Sequence, residues 1–311
     1  MSDCGRIRHT GKEESMWQAR AITAVVSSAV LMAAVLQAQP ERHRRERGLA
    51  VATYNIHHGS GNEDCTTPPA EPGQPPNADC NLNLGRIAHV IRSLDANIVG
   101  LQEVDRFWAR SGDVDQPRAL AHMLRMHSCY GANLDHPADG HANVPHQYGT
   151  AILSVWPIQG CQNTLLPRTD PANEQRGLLE ARINVGHVPL HFYGTHLQHN
   201  SLDDRIVQVE TIADRVAMAE QPVVVVGDLN AVPTEPSLPP LLALLTDVWV
   251  AAGEGDGFTI PARPDAPPDR RIDYVLVSPD LTVRSASVAV NNVTAMASDH
   301  YPVAATLAIR K

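Results

Sequence analysis

Lysine is nearly missing from this 311-residue chain: beyond residue 38 it occurs once, at Lys311. Positive charge is short in general. The formal net charge is −9, and since the first 38 residues carry four basic and three acidic residues, the remainder sets 21 basic against 31 acidic side chains. Such a body offers a polyanion little long-range steering, and no basic stripe marks a nucleic-acid footprint. No His-Glu-x-x-His segment occurs, which sets aside a zinc hydrolase with closely spaced ligands. Gly-x-Ser-x-Gly is missing too, and with it the signature of a serine nucleophile on a strand-to-helix elbow. No internal repeat is visible, so a repeat array is excluded. What is present, 43% hydrophobic residues with 24 Pro and 20 Gly, suits a loop-rich globular enzyme.

Residues 1–48 read as a separate segment. Ala21 to Ala38 carries no charge and no amphipathic period. Its 18 residues fit a long signal h-region or a short membrane span. Arg42, Arg44, Arg45 and Arg47 follow, and positive charge there resists export, so cleaved signal and retained anchor both stay open. Four of the five cysteines lie beyond the run, an even set that favours an oxidising compartment. The pairs closest in sequence, Cys65–Cys80 and Cys129–Cys161, are the expected bridges; the first would staple a Pro-rich insertion. The expected location is therefore periplasmic or extracellular, or membrane-anchored with the catalytic part outside.

From residue 49 to 311 the pattern is that of one α/β (α+β) domain. Val223 to Val226 reads as a strand buried on both faces. It leaves through Gly227 and presents Asp228 and Asn230 just past its carboxyl end, where open α/β sheets keep their chemistry. Leu49–Tyr54 ends the same way in Asn55, Ile98–Gln102 in Glu103, and Leu190–Thr195 in His196. Leu179, Ala181, Ile183 and Val185 alternate with polar residues, a half-exposed strand, and Gly186-His187 joins it to the next as a hairpin. Helices are expected around Ile87, Ile91 and Leu94, from Pro117 through Leu124, along the Ile206, Val209, Ala213, Val216 face, and at Pro239–Leu245. Hairpins mixed with helical crossovers imply mixed sheets.

Six short segments recur in one order: Tyr54-Asn55-Ile56, Leu101-Gln102-Glu103-Val104, Gly194-Thr195-His196-Leu197, Gly227-Asp228-Leu229-Asn230, Ile272-Asp273-Tyr274-Val275 and Ser298-Asp299-His300-Tyr301-Pro302. Together they resemble the motifs of the endonuclease/exonuclease/phosphatase superfamily. The resemblance implies a four-layer sandwich, two mixed β-sheets face to face with helices on the outside. It also implies hydrolysis of a phosphoester with the help of Mg²⁺ (or Mn²⁺), a hard cation that takes oxygen ligands and offsets the anionic charge of the substrate. Glu103 and Asn55 correspond to metal ligands, with Asp299 reaching the ion through water. Asp228 resembles the carboxylate that activates water, and Asn230 the residue that orients it or the phosphate. His196 and His300 would donate to phosphate oxygens as charge builds, and Asp273 would hold the tautomer of His300 and favour its charged form. Which histidine is the acid stays open.

Seven positions carry weaker expectations. His57 and His58 either line the substrate pocket, bias the metal towards a nitrogen-tolerant ion such as Mn²⁺, or are plain loop residues. Arg176 and Tyr148 are candidate phosphate clamps. Asp105, His199 and Asn200 lie close to the motifs as supporting residues. The expected substrate is a small or lipid-linked phosphodiester met by a monomer whose residues 21–38 contact a membrane. The alternatives are a secreted endonuclease acting on DNA or RNA and a non-catalytic binding module, the latter disfavoured because no motif residue is missing.

Overall fold

A computed structural model describes residues 48–62, 82–138, 143–219 and 222–309. The apolar run at 21–38, the proposed Cys65–Cys80 bridge and Lys311 lie outside the described residues. Twelve strands are found among those residues: β1 (Leu49–Asn55), β2 (Ile98–Arg106), β3 (His127–His136), β4 (His146–Ser154), β5 (Ile158–Leu165), β6 (Gly177–Val185), β7 (Val188–His196), β8 (Val223–Asp228), β9 (Thr246–Asp247), β10 (Asp273–Val277), β11 (Leu281–Val288) and β12 (Val303–Ile309). They form two six-stranded sheets, ordered β11-β12-β1-β2-β4-β3 and β5-β6-β7-β8-β10-β9. Each sheet is mixed, with one parallel pair at its centre: β1 beside β2 and β7 beside β8.

The strand sequences explain the stacking. Successive side chains of a strand point to opposite faces. In β8, Val224 and Val226 enter the layer between the sheets, with Val51, Ile152, Phe192 and Val275. Val223 and Val225 point outward and pack under the helix α3 (Leu202–Ala217) with Tyr193, Val209 and Ile212. On the far side, Ala52, Tyr54, Val99 and Leu101 lie beneath α1 (Leu84–Ser93) and α2 (Gln116–Leu124). This yields the four-layer sandwich that the motifs implied. The inter-sheet layer is tight at Gly100, where an added Cβ would lie 2.3 Å from Val226 Cγ2. A bridge between Cys129 of β3 and Cys161 of β5, with Cα atoms 5.7 Å apart, ties an edge of one sheet to an edge of the other, as the sequence suggested.

The face of α3 differs in detail from the apolar spacing. Ile206 is only half-buried, while Ile212 is fully buried and Arg205 and Gln208 share its covered side. Those two polar residues are satisfied there: Arg205 Nε donates to Glu235 Oε1 at 2.7 Å, and Gln208 Oε1 accepts the backbone N–H of Gln198 at 3.0 Å. The shorter helices α4 (Pro239–Leu242), α5 (Val248–Ala252) and α6 (Asn292–Ala297) complete the described elements.

Candidate active site

The two central parallel pairs run to the same end of the sandwich. β1 ends at Asn55, β7 at His196 and β8 at Asp228, while β10 starts at Asp273, paired with Asp228 across the sheet. Glu103 does not follow the end of its strand as the sequence suggested: β2 continues to Arg106, and Glu103 sits within it where the ladder with β4 is interrupted between Leu101 and Val104. Four non-glycine residues here take left-handed backbone: His57 (φ 45°), His58 (φ 44°), Glu103 (φ 57°) and Asn230 (φ 49°). Such conformations persist only where the surroundings over-determine them, and they collect at functional sites.

Asp228 is the centre. It is buried, and each of its oxygens is addressed. Oδ1 accepts the backbone N–H of Asn230 at 2.9 Å. Oδ2 accepts from Asn55 Nδ2 at 3.1 Å and faces His196 Nε2 at 3.4 Å and His300 Nε2 at 3.7 Å. Burial, and next the charge of Asp273, push its carboxyl above the ordinary carboxylate range, against the pull of His300 and of the hydrogen bonds from Asn230 and Asn55.

The two histidines are set up differently. His300 Nδ1 lies 2.8 Å from Asp273 Oδ2, with both side chains buried. Burial opposes its charge, but Asp273 and Asp228 overrule it and raise the imidazole from 6.5 to about 10. His196 Nδ1 instead meets Arg176 Nη1 at 3.1 Å. A guanidinium can only donate, so Nδ1 of His196 is the acceptor and its proton sits on Nε2, towards Asp228. Burial first, then the positive charge of Arg176, holds this imidazole well below its ordinary value. His300 is therefore the cationic member and His196 the neutral one, a distinction the sequence left open.

Asn55 links the sheets. Its Nδ2 donates to Glu103 Oε1 at 3.0 Å as well as to Asp228, and its Oδ1 accepts the backbone N–H of His57 at 3.0 Å. Ser298 Oγ donates to the carbonyl of Asn55 at 2.8 Å and receives the N–H of His300, joining β1 to the start of the last motif. Asn230 Nδ2 donates to the carbonyl of Leu197 at 3.0 Å. Arg176, expected as a phosphate clamp, is 3% exposed and is committed to His196, to His199 Nδ1 at 3.3 Å and to Glu174 Oε1 at 2.8 Å. Tyr148 is buried in β4, and burial, then the charge of Glu103, pushes its phenol up. Asp105 forms two 2.8 Å hydrogen bonds with Arg110, whose guanidinium lies 5.2 Å over the Tyr148 ring. Asn200 is exposed beside the exposed His199.

Metal-compatible donors stand next to this centre. His57 Nδ1 is 3.9 Å from Asp299 Oδ1, and His58 Nδ1 is 3.9 Å from Glu103 Oε2. Ligand atoms of His57, His58 and Glu103 all lie within 4.8 Å of one another. Carboxylate oxygens from two chain segments, an amide and two imidazoles suit a divalent cation. Ser298, Glu174, Arg110 and Gln116 were not singled out from sequence. Their roles are tertiary: Gln116, for example, accepts the N–H of Asp105 at 2.9 Å and donates to the carbonyl of His58 at 2.6 Å.

A family model described as the endonuclease/exonuclease/phosphatase family matches residues 52–300. A solved endonuclease/exonuclease/phosphatase from Beutenbergia cavernae superposes with a TM-score of 0.59 at 26% identity, over 85% of this chain and 72% of its own. A mannosyl-6-phosphatase from Bacteroides thetaiotaomicron gives 0.61 at 19% identity, covering 84% of this chain and all of the other (100%). TDP2 from D. rerio, solved with a single-strand DNA product, gives 0.55 at 17% identity over 83% of this chain and 98% of its own. The last two likenesses are of fold. No match was found among curated proteins.

Proposed function

The chain belongs to the endonuclease/exonuclease/phosphatase family, and from that premise we propose that it is a divalent-metal-dependent phosphodiesterase acting on a small or lipid-linked substrate outside the cytoplasm. The family consists of phosphoester hydrolases, and hydrolysis of a phosphoester is the activity that this membership supports. The observation that carries the reading is the environment of Asp228: one buried carboxylate, raised above its ordinary range, faced by one cationic and one neutral imidazole.

Each residue then has a task. Asp228 Oδ2 takes a proton from the attacking water, a role suited to a carboxylate whose proton affinity has been raised. Asn230 fixes the other oxygen of that carboxylate through its backbone N–H. His300, kept charged by Asp273, donates through Nε2 to a phosphoryl oxygen, where charge builds in the transition state. His196 donates as a neutral group, its tautomer set by Arg176 from behind. On this reading Arg176 acts through His196 and not by direct grip on phosphate. Asn55, Glu103 and Asp299 would hold Mg²⁺ or Mn²⁺, which when bound supplies the charge that offsets the anionic substrate.

The preference for a small or lipid-linked diester rests on the acidic body with its scarcity of lysine. The Cys129–Cys161 bridge and the apolar run at 21–38 support a periplasmic, extracellular or membrane-anchored location for the 49–311 catalytic domain. Likeness to a DNA-bound TDP2 keeps a secreted nuclease as the second reading. A substrate panel with Mg²⁺ or Mn²⁺ separates them: a chromogenic phosphodiester, a phosphomonoester, supercoiled plasmid, sphingomyelin and phosphoinositides. Cleavage of a small or lipid diester should exceed plasmid nicking at low salt. Nicking far faster than any small diester or lipid is cleaved makes the protein a nuclease.

A further inference from the structure

We propose that His57 and His58 are metal ligands, and that they turn the centre at Glu103 into a mixed imidazole–carboxylate site that holds a first-row transition ion in preference to Mg²⁺. The inference rests on reading Glu103 as the carboxylate of the metal centre, and it adds what the six motifs do not contain: nitrogen donors, and with them the identity of the ion.

Ligand atoms of His57, His58 and Glu103 share one small space, and Asp299 stands beside His57. His58 Nδ1 faces Glu103 Oε2, and His57 Nδ1 faces Asp299 Oδ1, each at 3.9 Å. These separations are too long for hydrogen bonds. They are close to those of donors sharing an ion: with bonds of about 2.0–2.1 Å, tetrahedral neighbours lie roughly 3.4 Å apart. His57 Nδ1 is also buried at the atom level and has no hydrogen-bond partner. The ring centroids of the pair are 4.6 Å apart and edge-on, so both nitrogens converge without the rings stacking.

The backbone holds the pair in this pose from several sides. Asn55 Oδ1 receives the N–H of His57, Gln116 Nε2 donates to the carbonyl of His58, and Gly59 N–H closes the turn on the carbonyl of Ile56 at 2.8 Å. Asn55 and Gln116 thereby tie the turn to the strand that carries Glu103. Imidazole nitrogen is a good donor to transition ions and a poor one to Mg²⁺, which takes oxygen at near-ideal octahedral geometry and dehydrates reluctantly. A site with two such nitrogens therefore selects against Mg²⁺ by ligand type.

Pulsed EPR of Mn²⁺ bound to the full-length protein reads this directly. Nitrogen couplings from two imidazoles are expected, and displacement of the ion should need on the order of a hundredfold excess of Mg²⁺. Asparagine tolerates left-handed backbone, so His57→Asn and His58→Asn keep the turn. Each should remove one coupling and weaken Mn²⁺ about tenfold, some 1.4 kcal/mol, while Mg²⁺ affinity moves less than about threefold. Mn²⁺ that is lost in Glu103→Ala but shows only oxygen ligation in the wild type overturns the proposal and leaves the hydrolase reading intact. Absence of Mn²⁺ binding overturns the proposal, and absence of Mg²⁺ binding as well overturns both.

Discussion

Replacing Asp273 with asparagine removes one charge from the least exposed part of the site and leaves its shape nearly unchanged. Asp273 Oδ2 is 2.8 Å from His300 Nδ1, and both side chains are buried. Burial works against a charged His300; the charge of Asp273, that of Asp228 and the hydrogen bond donated to Asp273 together raise it to about 10. Asparagine deletes the charge of Asp273, exchanges a carboxylate acceptor for a weaker amide one, and keeps the burial. His300 should then lose its charge at a pH roughly two units lower, and its orientation is no longer fixed by a carboxylate. Losses of such donors, or of the carboxylate that orients a catalytic histidine, lie in the range of about 10²–10⁴ in kcat. Steady-state hydrolysis of a chromogenic phosphodiester across pH 5–10.5 is the assay. The alkaline limb of kcat/KM, set by His300, should move down by roughly two pH units. Stability gives a second readout in the presence of chelator. A histidine whose folded value is raised from 6.5 to about 10 contributes stability that is complete below 6.5 and is lost as pH rises through 10. The wild type should therefore lose up to about 1.4 kcal/mol per pH unit in that window, and in the variant the loss should end roughly two pH units earlier. A kcat within threefold of wild type together with an unmoved alkaline limb refutes the assignment of His300 as the cationic donor.

Arg176→Ala should lower kcat by about 10²-fold with little change in KM, because it frees the His196 tautomer without removing a substrate contact; a large rise in KM alone would restore the phosphate-clamp role. Gly100→Ala should destabilise the fold by about 1–3 kcal/mol in urea unfolding, since its Cβ would overlap Val226 between the sheets; an unchanged midpoint would mean that the layers yield there. Cys129→Ser with Cys161→Ser should cost about 2–4 kcal/mol, the usual scale for a bridge closing a loop of this length (sequence separation 32), read as a lower Tm; two alkylatable thiols in protein recovered from its native compartment would contradict both the bridge and the export reading.

The legible part of this fold was where a strand's own residues fix its burial. Val223–Val226 reads as buried on both faces because four β-branched residues in succession leave no polar face, and they are so placed between α3 and the opposite sheet. The alternation at 179–185 announced a strand with one polar side, and Arg182 and Asn184 are exposed. Polar residues at strand ends marked the site because the sheets bring the ends of β1, β7 and β8 together, with Glu103 reaching them from the interrupted ladder inside β2. Other features depend on partners that no local pattern encodes. β5 is largely exposed and has little alternation to read. The covered side of α3 includes Arg205 and Gln208, which are stable there only because Glu235 and the loop at Gln198 accept them. Arg176 reads from sequence as a phosphate clamp; that it lies beneath His196 follows from pairing β6 with β7, with residues 177 and 195 on neighbouring strands. The split between a charged His300 and a neutral His196 is likewise a property of two buried contacts, one to a carboxylate and one to a guanidinium.

Initial rates of phosphodiester hydrolysis by the purified protein, measured with Mn²⁺ or Mg²⁺ and again with excess chelator, alongside Glu103→Ala, test the proposed chemistry most directly. Turnover should need the ion, vanish with chelator, return on adding metal back, and fall by about 10³-fold or more in a Glu103→Ala variant that melts cooperatively like the wild type. Undiminished turnover in excess chelator, or wild-type rates in Glu103→Ala, would contradict a metal-dependent hydrolase centred on these residues.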